Sequence, residues 1–388
     1  MQGIRNKALI ATLSSLTLLM AVAAAPAVLT DLQEIRTLNL LAEEKGDPLI
    51  IFENAKANAR VAGISNAGIV GGRQTPDGGN NDRALRWMPP NYEVDNLGKG
   101  LASSFDKDGN QEAGIGFQPR GVSPGGNMGG RGGSGWDYVQ VDLNTGEHFN
   151  LAGGEGWTAN DAGIQGGEGN GQVSDRNGVL QILSFLPDAV QGRHYQVNNN
   201  NRIIGRLFGV PSEVPHMWLP TGVNTWGDAQ AMQVPDGFAS AGVRHLGNND
   251  FSAGNGNLAD DGGSEGLIWD PSGNVVRMLG VGNVVDAFSH DGTAAAGRLS
   301  DGTVAVWASS DGWQTAEQHL PDDLLASVAG GGEWDSLTRI NGINDRMELT
   351  GSGLKGGVDT FFALVVPEPA TLGLLAFGGL IALRRNRR

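Results

Sequence analysis

Seven short segments of similar sequence recur along the chain, and this repetition limits the possible folds more than any other feature. Each segment passes through a turn rich in Asn, Asp or Gly and ends at a glycine. A further segment, often ending in Trp, follows it. Because such turns tolerate positive φ angles and the segments between them alternate or are fully apolar, each unit predicts three or four β-strands. The seven glycines are Gly71, Gly114, Gly166, Gly205, Gly254, Gly297 and Gly351.

The spacing of these units indicates the architecture. Successive glycines are 39 to 54 residues apart, with a mean of about 47, which is typical of β-propeller blades. We therefore predict an all-β propeller of seven blades over residues 48–365. The recurring Trp would pack between blades, and the glycines would allow close backbone approach. A right-handed β-helix or a pair of stacked sandwiches is the alternative, although their repeats are usually shorter or absent.

The last unit lacks its final strand, so closure of the ring needs a strand from elsewhere. Residues 49–52 (LIIF) precede the first unit and are apolar. We predict that this N-terminal strand completes the seventh blade, with residues 28–47 as a separate N-terminal segment.

Residues 1–27 have the features of a secretory signal peptide. Two basic residues precede an apolar stretch, and small residues at Ala25 and Ala27 form a cleavage site of the A-x-A type. An amphipathic first helix is the alternative, but the stretch has no polar face. The segment predicts export through the Sec translocon.

The C-terminus combines a proline motif, an apolar run and a basic end. Residues 370–383 would form a helix of about 21 Å, shorter than the roughly 30 Å of a bilayer core, so a buried terminal helix is the alternative. The order of the three parts favours a membrane helix, because the terminal arginines would stay cytoplasmic. The proline motif is Pro367, Glu368 and Pro369, and the basic cluster is Arg384, Arg385, Arg387 and Arg388.

This ending, VPEPATLGLLAFGGLIALRRNRR, closely resembles the PEP-CTERM sorting tail, also known as an ice-binding-protein C-terminal domain. The resemblance covers residues 366–388. It implies a Gram-negative bacterium whose exosortase recognises the Pro-Glu-Pro segment. It also implies a body held outside the inner membrane, later at the cell surface or in a biofilm matrix with exopolysaccharide. The ice-binding label is no indication that this chain binds ice.

The first unit resembles the extracellular HAF repeat family. Residues 63–71 read GISNAGIVG, and residues 84–87 read ALRW. The His-Ala-Phe that names the family is Arg83-Ala84-Leu85 here, and the other units depart further. The resemblance implies a repeat domain and brings no catalytic residues with it.

Composition excludes several classes of function. The chain has no Cys, which excludes disulfides, thiol catalysis and Cys-ligated zinc. Its net charge of −15 argues against binding to nucleic acid. Without the predicted signal peptide and the basic tip, 21 basic residues stand against 42 acidic ones. This balance favours divalent cations or basic partners.

One loop has the pattern of a calcium site, so calcium is the candidate cofactor. Carboxylates at alternate positions around a glycine can surround Ca²⁺ with oxygen atoms, and the loop resembles those of integrin-type propeller blades. The alternative is a hairpin turn whose acids stay solvated. The glycine-rich residues 121–135 read as a flexible loop. The proposed ligands are Ser104, Asp106, Asp108 and Glu112.

No catalytic motif stands out. The six His residues lack zinc-binding spacing, and there is no G-x-S-x-G motif. Sialidase chemistry would need an arginine cluster beside a Tyr with an acidic partner, which sequence cannot place. Four tryptophans could stack on sugar rings, although core packing is the simpler role. They are Trp157, Trp226, Trp313 and Trp334.

We therefore predict an exported, non-catalytic binding or structural protein. A carbohydrate-active enzyme on the same ring and a calcium-stabilised adhesion module are the alternatives. A cluster of acids, or of Tyr with Arg, at the mouth of the ring would favour the enzyme.

Overall fold

The computed structural model describes most of the repeat region, in which it contains 30 strands and no helix. The predicted signal peptide, the predicted calcium loop and the sorting tail lie outside the described residues. So does Gly114. The described residues are 34–38, 59–74, 83–98, 117–132, 137–151, 155–169, 171–187, 189, 191–208, 214–260, 262–319 and 334–365.

The strands group into seven antiparallel units of four, which we call blades 1 to 7. Five of them are separate sheets, whereas blades 3 and 4 are joined into one sheet by the pairing of β11 with β14. Blade 1 contains β2 (Ala59–Ile64), β3 (Val70–Gln74), β4 (Arg83–Met88) and β5 (Glu93–Gly98). Blade 2 contains β6 (Phe117–Val122), β7 (Asn127–Gly132), β8 (Asp137–Asp142) and β9 (His148–Leu151). Blade 3 contains β10 (Glu155–Ala159), β11 (Gln165–Gly169), β12 (Gln172–Asp175) and β13 (Gly178–Ile182).

Blade 4 contains β14 (Gln191–Val197), β15 (Ile203–Phe208), β16 (Pro215–Trp218) and β19 (Gln230–Ala231), with a hairpin of β17 (Pro220–Gly222) and β18 (Thr225–Trp226) inserted. Blade 5 contains β20 (Phe238–Leu246), β21 (Ser252–Leu258), β22 (Ser264–Trp269) and β23 (Val275–Val281). Blade 6 contains β24 (Val284–Phe288), β25 (Ala294–Arg298), β26 (Val304–Ala308) and β27 (Glu317–His319). Blade 7 contains β28 (Ser336–Ile343), β29 (Leu349–Lys355), β30 (Val358–Val365) and β1 (Glu34–Leu38). The predicted all-β propeller with seven blades is confirmed.

The ring closes by pairing the two ends of the described chain. Strand β1 pairs with β30 over five residues, from Glu34 opposite Val365 to Leu38 opposite Phe361. An N-terminal strand therefore completes blade 7, but the predicted segment, residues 49–52, is wrong. Apolar content alone favoured that segment, whereas pairing is decided by which stretch reaches the free edge of β30. The strand comes from residues 28–47, which were predicted to be a segment separate from the propeller.

Six hydrophobic clusters join consecutive blades, and tryptophans lie at the centre of several. Trp218 of blade 4 packs with Ile164 and Val173 of blade 3. Trp269 of blade 5 packs in the same way with Ile204 of blade 4. The predicted packing of Trp between blades is confirmed. Two further examples are Trp87 against blade 7 and Trp307 against blade 5.

The repeated glycines of the second strands lie against the backbone of the first strands. A Cβ atom at Gly254 would clash with the carbonyl oxygen of Gly242 on β20. Gly205, Gly297 and Gly351 meet a first-strand carbonyl in the same way. The predicted close approach is therefore confirmed at these four positions.

The glycine-rich stretch in blade 2 is not a loop. Its described part contains the end of β6, a turn and the whole of β7. Glycine is needed because Gly129 lies against the backbone of Trp157 and Ala159 in blade 3, and Gly130 against that of Gln118. The interpretation as a flexible loop is wrong, because glycine here permits contact rather than mobility. The turn of the second repeat consequently lies at residues 123–127, not before Gly114.

The turns between the first and second strands form a continuous hydrogen-bonded circle, which we call the turn belt. It consists of residues 65–69, 123–127, 160–164, 198–202, 247–251, 289–293 and 344–348. Each turn is linked to the next, and the last is linked to the first. The links are Asn66 N–H to Pro124 O (2.9 Å), Gly125 N–H to Asp161 Oδ1 (2.6 Å), Asp161 N–H to Asn199 Oδ1 (3.0 Å), Asn199 N–H to Asn248 Oδ1 (3.0 Å), Asn248 N–H to His290 O (2.6 Å), Asp291 N–H to Asp345 Oδ1 (2.6 Å) and Asp345 N–H to Asn66 Oδ1 (3.2 Å).

The first residue of each turn explains why Asn and Ser recur there. In six of the seven turns its side-chain oxygen accepts a hydrogen bond from the backbone N–H four residues later. Such local bonds favour turns over extended strands. These six residues are buried, so the bond also satisfies a polar group removed from water. They are Ser65, Ser123, Asn160, Asn198, Ser289 and Asn344.

The close approach of first and second strands predicts a large difference between two glycines of blade 5. Gly254→Ala should lower the free energy of unfolding by more than about 2 kcal/mol, because its methyl group would meet a carbonyl oxygen. Gly242→Ala should change it by less than about 1 kcal/mol, since the nearest atom to its Cβ lies 3.9 Å away. Urea unfolding of both variants measures the difference, and equal effects would contradict the packing argument.

Candidate functional site

The first strands of the blades surround a central channel. Its cavity of about 400 Å³ is lined by residues of all seven first strands. The turn belt borders this cavity at His290, whose Nε2 is 2.9 Å from the carbonyl oxygen of Ile64. The belt and the first strands therefore determine the shape of the channel.

Four arginines line the channel. Asp286, the only carboxylate among the described residues of the lining, is already bound to Arg298, with Nε 2.8 Å from Oδ2 and Nη2 3.3 Å from Oδ1. Among the described residues, no acidic side chain forms an ion pair with Arg60, Arg244 or Arg339. The channel is therefore cationic in a chain whose net charge is −15. The four are Arg60, Arg120, Arg244 and Arg339, from blades 1, 2, 5 and 7.

Arg60 has three other arginines close to it. Solvent reaches its side chain through the channel, but the surrounding walls displace part of the water it would have in bulk. Burial lowers the pKa of the Arg60 guanidinium, and three nearby arginines lower it further. An arginine remains protonated despite such shifts, so the repulsion persists at neutral pH. The three neighbours are Arg339, Arg120 and Arg73.

Two aromatic side chains position two of the channel arginines. The Arg120 guanidinium lies 4.7 Å from the ring centre of Trp157, and that of Arg244 lies 5.4 Å from the ring of Tyr195. The two rings meet edge to face with centres 4.8 Å apart. Attraction to an aromatic face stabilises a cation without using its N–H donors.

Two amide side chains of the channel, those of Gln196 and Asn255, have a structural role. Both ends of the Gln196 amide bond the backbone of Leu246 in blade 5, with distances of 2.9 and 3.2 Å. Asn255 bonds the backbone of Val285 in blade 6 in the same way. These bonds join neighbouring blades, so the two amides are engaged with the protein backbone.

The arginine cluster was missed by the sequence analysis, although a signal exists. Arg60, Arg193 and Arg339 each stand five residues before the first residue of their turn, and Arg120 and Arg244 stand three before. Arginines five or three residues before the repeated turn predict charge on one face of the first strands, because alternate residues of a strand point to the same side. Arg193 differs from the others in pairing with Glu168.

The four tryptophans considered as sugar-stacking candidates lie in two kinds of environment. Trp157 lines the channel, while Trp226, Trp313 and Trp334 are buried in the core. The indoles of two of these donate to backbone carbonyls, Trp226 to Asn201 and Trp313 to Gly292. Three of the four therefore have the packing role.

The remaining predicted sites lie outside the described residues. Within the described ranges, no group of three or more His, Asp or Glu side chains could hold a metal ion. The calcium loop at Ser104, Asp106, Asp108 and Glu112 stays a prediction. The described part of the chain likewise contains no helix that could span a membrane, and residues 370–383 are not among them.

Comparison with known proteins decides the nature of the C-terminus. Residues 365–388 match the PEP-CTERM protein-sorting motif. The chain carries a PEP-CTERM sorting tail. This motif is the recognition signal for exosortase processing, and it indicates an exported protein with a C-terminal, membrane-anchored sorting signal. The predicted tail at Pro367, Glu368 and Pro369 is confirmed, whereas the resemblance to HAF repeats stays a prediction. The sequence matches no curated protein.

Several solved structures resemble the fold at low identity. U3-55K has a TM-score of 0.48 at 10% identity, covering 80% of this chain and 98% of its own. An oligogalacturonate lyase in complex with manganese has a TM-score of 0.48 at 12% identity, covering 87% and 97%. The β-propeller domain of Cps50 (Swd1) from Myceliophteria thermophila has a TM-score of 0.48 at 10% identity, covering 86% and 100%.

The buried His194 predicts a pH dependence of stability. Burial lowers its pKa to about 3, and its ring meets that of Trp218 edge to face at 4.6 Å. Between pH 6.5 and about 3 the unfolded chain binds a proton that the folded chain does not. Stability should therefore fall as the pH decreases, by roughly 1 kcal/mol per pH unit below pH 6. Urea unfolding at several pH values should show a shallower fall for His194→Phe, and equal slopes would contradict this assignment.

Proposed function

We propose that this protein is an exported, non-catalytic binding module that exosortase sorting delivers to the cell surface or matrix. Its channel binds an anionic segment of exopolysaccharide. The observation that carries this proposal is the set of arginines in the channel, of which Arg60, Arg244 and Arg339 have no acidic partner among the described residues. Such groups are costly to keep close together unless a ligand uses them.

The distribution of charge supports a channel ligand rather than a ligand of the outer surface. The whole chain has 42 acidic and 27 basic residues, while the channel lining has four arginines and one paired carboxylate. A polyanion is repelled by an acidic exterior and attracted to a cationic cleft with low-dielectric walls. Guanidinium groups also bind carboxylates through two parallel hydrogen bonds.

A carbohydrate-active enzyme is the second candidate, and Tyr195 is the observation that favours it. This Tyr lies in the channel beside Arg244, the combination expected of an enzyme acting on acidic sugars. An acid or base is also needed, and the nearby carboxylates are engaged. Asp286 pairs with Arg298, and Glu168 pairs with Arg193. We therefore favour binding over catalysis.

One experiment compares both candidates. Full-length protein, purified in detergent, is incubated with the exopolysaccharide of the producing cells, and both co-sedimentation and new reducing ends are measured. We expect salt-sensitive binding without new ends, and Arg60→Gln should weaken binding at least ~10-fold by removing a charged hydrogen-bonding group. The control is Arg277→Gln, which removes the same charge from β23, the outermost strand of blade 5.

The outcomes separate the candidates. New reducing ends that disappear in Tyr195→Phe would establish the enzyme and refute the non-catalytic module. Equal weakening by Arg60→Gln and Arg277→Gln would refute the channel as the binding site.

A further inference from the structure

Three of the channel arginines come from consecutive blades around the point where the ring closes. Arg339 lies in blade 7, Arg60 in blade 1 and Arg120 in blade 2. Strands β28 and β2, the first strands of blades 7 and 1, are far apart in sequence and meet through tertiary contacts. We call the boundary between β28 and β2 the seam.

The seam is tightly packed at the turn belt. Asn344 Nδ2 donates to the carbonyl oxygen of Ser65 at 2.9 Å, and Asn66 Nδ2 donates to Asp345 Oδ2 at 2.5 Å. A Cβ atom at Gly342 would lie 2.7 Å from the Cα of Gly63. The backbones therefore approach closely at this end.

Away from the belt, like charges meet at the seam. Arg60 and Arg339 occupy equivalent positions, five residues before Ser65 and Asn344. Arg339 is the charged neighbour that most affects Arg60. Neither arginine has an acidic partner among the described residues. Their repulsion acts to separate two strands that the belt holds together.

We infer that the channel ligand presents two or more oxyanion groups that bridge Arg339, Arg60 and Arg120 across the seam, so that binding stabilises the closed ring. This inference rests on the proposed function and names the ligand class of the same site. A single carboxylate can bind one guanidinium through two hydrogen bonds, so an anion that contacts the guanidinium groups of three blades must carry several charged groups. Adjacent uronic acid residues of an acidic glycan supply such groups.

The geometry of the third arginine agrees with this assignment. Arg120 is held against Trp157, with its guanidinium 4.7 Å from the ring centre. Attraction between the cation and the aromatic face stabilises this position of the guanidinium. Arg244 belongs to blade 5 and lies beside Tyr195, so it contributes to the field of the channel without touching the seam.

The inference makes a prediction for the protein without ligand. If Arg60 and Arg339 repel each other, then Arg60→Gln and Arg339→Gln should each leave the melting temperature equal to or above that of the parent. The gain of the double variant should be less than the sum of the single gains, because either change removes the same repulsion. Melting temperatures lowered by both single variants would overturn the repulsion argument.

The ligand-dependent test uses hydrogen–deuterium exchange of the full chain in detergent. The probes are a tetramer of uronic acid, its monomer and tripolyphosphate, each at the same charge concentration. We expect the tetramer to bind at least ~10-fold more tightly than the monomer and to slow exchange in β28, β2, β30 and β1. Arg60→Gln and Arg339→Gln should abolish this protection, while Arg277→Gln should retain it.

The outcomes distinguish failure of the bridging inference from failure of the proposed function. Loss of exopolysaccharide binding altogether would refute the proposed function. Binding of exopolysaccharide that depends on Arg60, with no slowing of exchange at the seam by any probe, would refute only the bridging inference. Protection by tripolyphosphate but not by the tetramer would overturn the assignment to carboxylates in favour of a phosphate ligand. Equal affinity for tetramer and monomer would overturn the requirement for several charges.

Discussion

The turn belt is the constraint on which the rest of the structure depends. Each turn uses one polar side chain to close itself and presents backbone or side-chain groups to the next, so the circle is complete only when all seven blades are present. Hydrogen bonds of this kind have strict geometry. They therefore determine how the first strands approach each other and where the side chains that follow along those strands lie. The turn belt therefore also determines the positions of the channel arginines.

Repulsion between the channel arginines destabilises the folded ring, and the packing of the remaining structure offsets this destabilisation. Bringing Arg60 near three other arginines opposes folding, whereas six apolar clusters between blades favour it. Aromatic faces reduce the cost at Arg120 and Arg244. Natural proteins commonly accept such local conflicts at binding sites, and this contrast between apolar clusters and a cationic channel is the reason we assign function there.

Export makes the closure of the ring important. The chain has no Cys, so no disulfide can join its ends outside the cell. Closure depends instead on β1, which covers the edge of β30. Strand β30 ends at Val365, where the sorting motif begins. The blade that completes the ring therefore leads directly into the segment that exosortase recognises, and any ligand that stabilises blade 7 acts next to that segment.

Local chemistry determined what could be predicted from the sequence. The Asn and Ser side chains at the turns bond backbone groups up to four residues away, and glycine acts on its own backbone conformation. The repeat, the strands and the propeller can therefore be predicted from short segments of sequence. The sorting tail is a linear motif that needs no surrounding fold. The tertiary structure alone decided that β1 rather than residues 49–52 closes the ring, that the glycines near Gly130 pack in strands, and that arginines far apart in sequence converge in one channel. These features depend on contacts between distant segments, and such contacts exist only once the ring has closed.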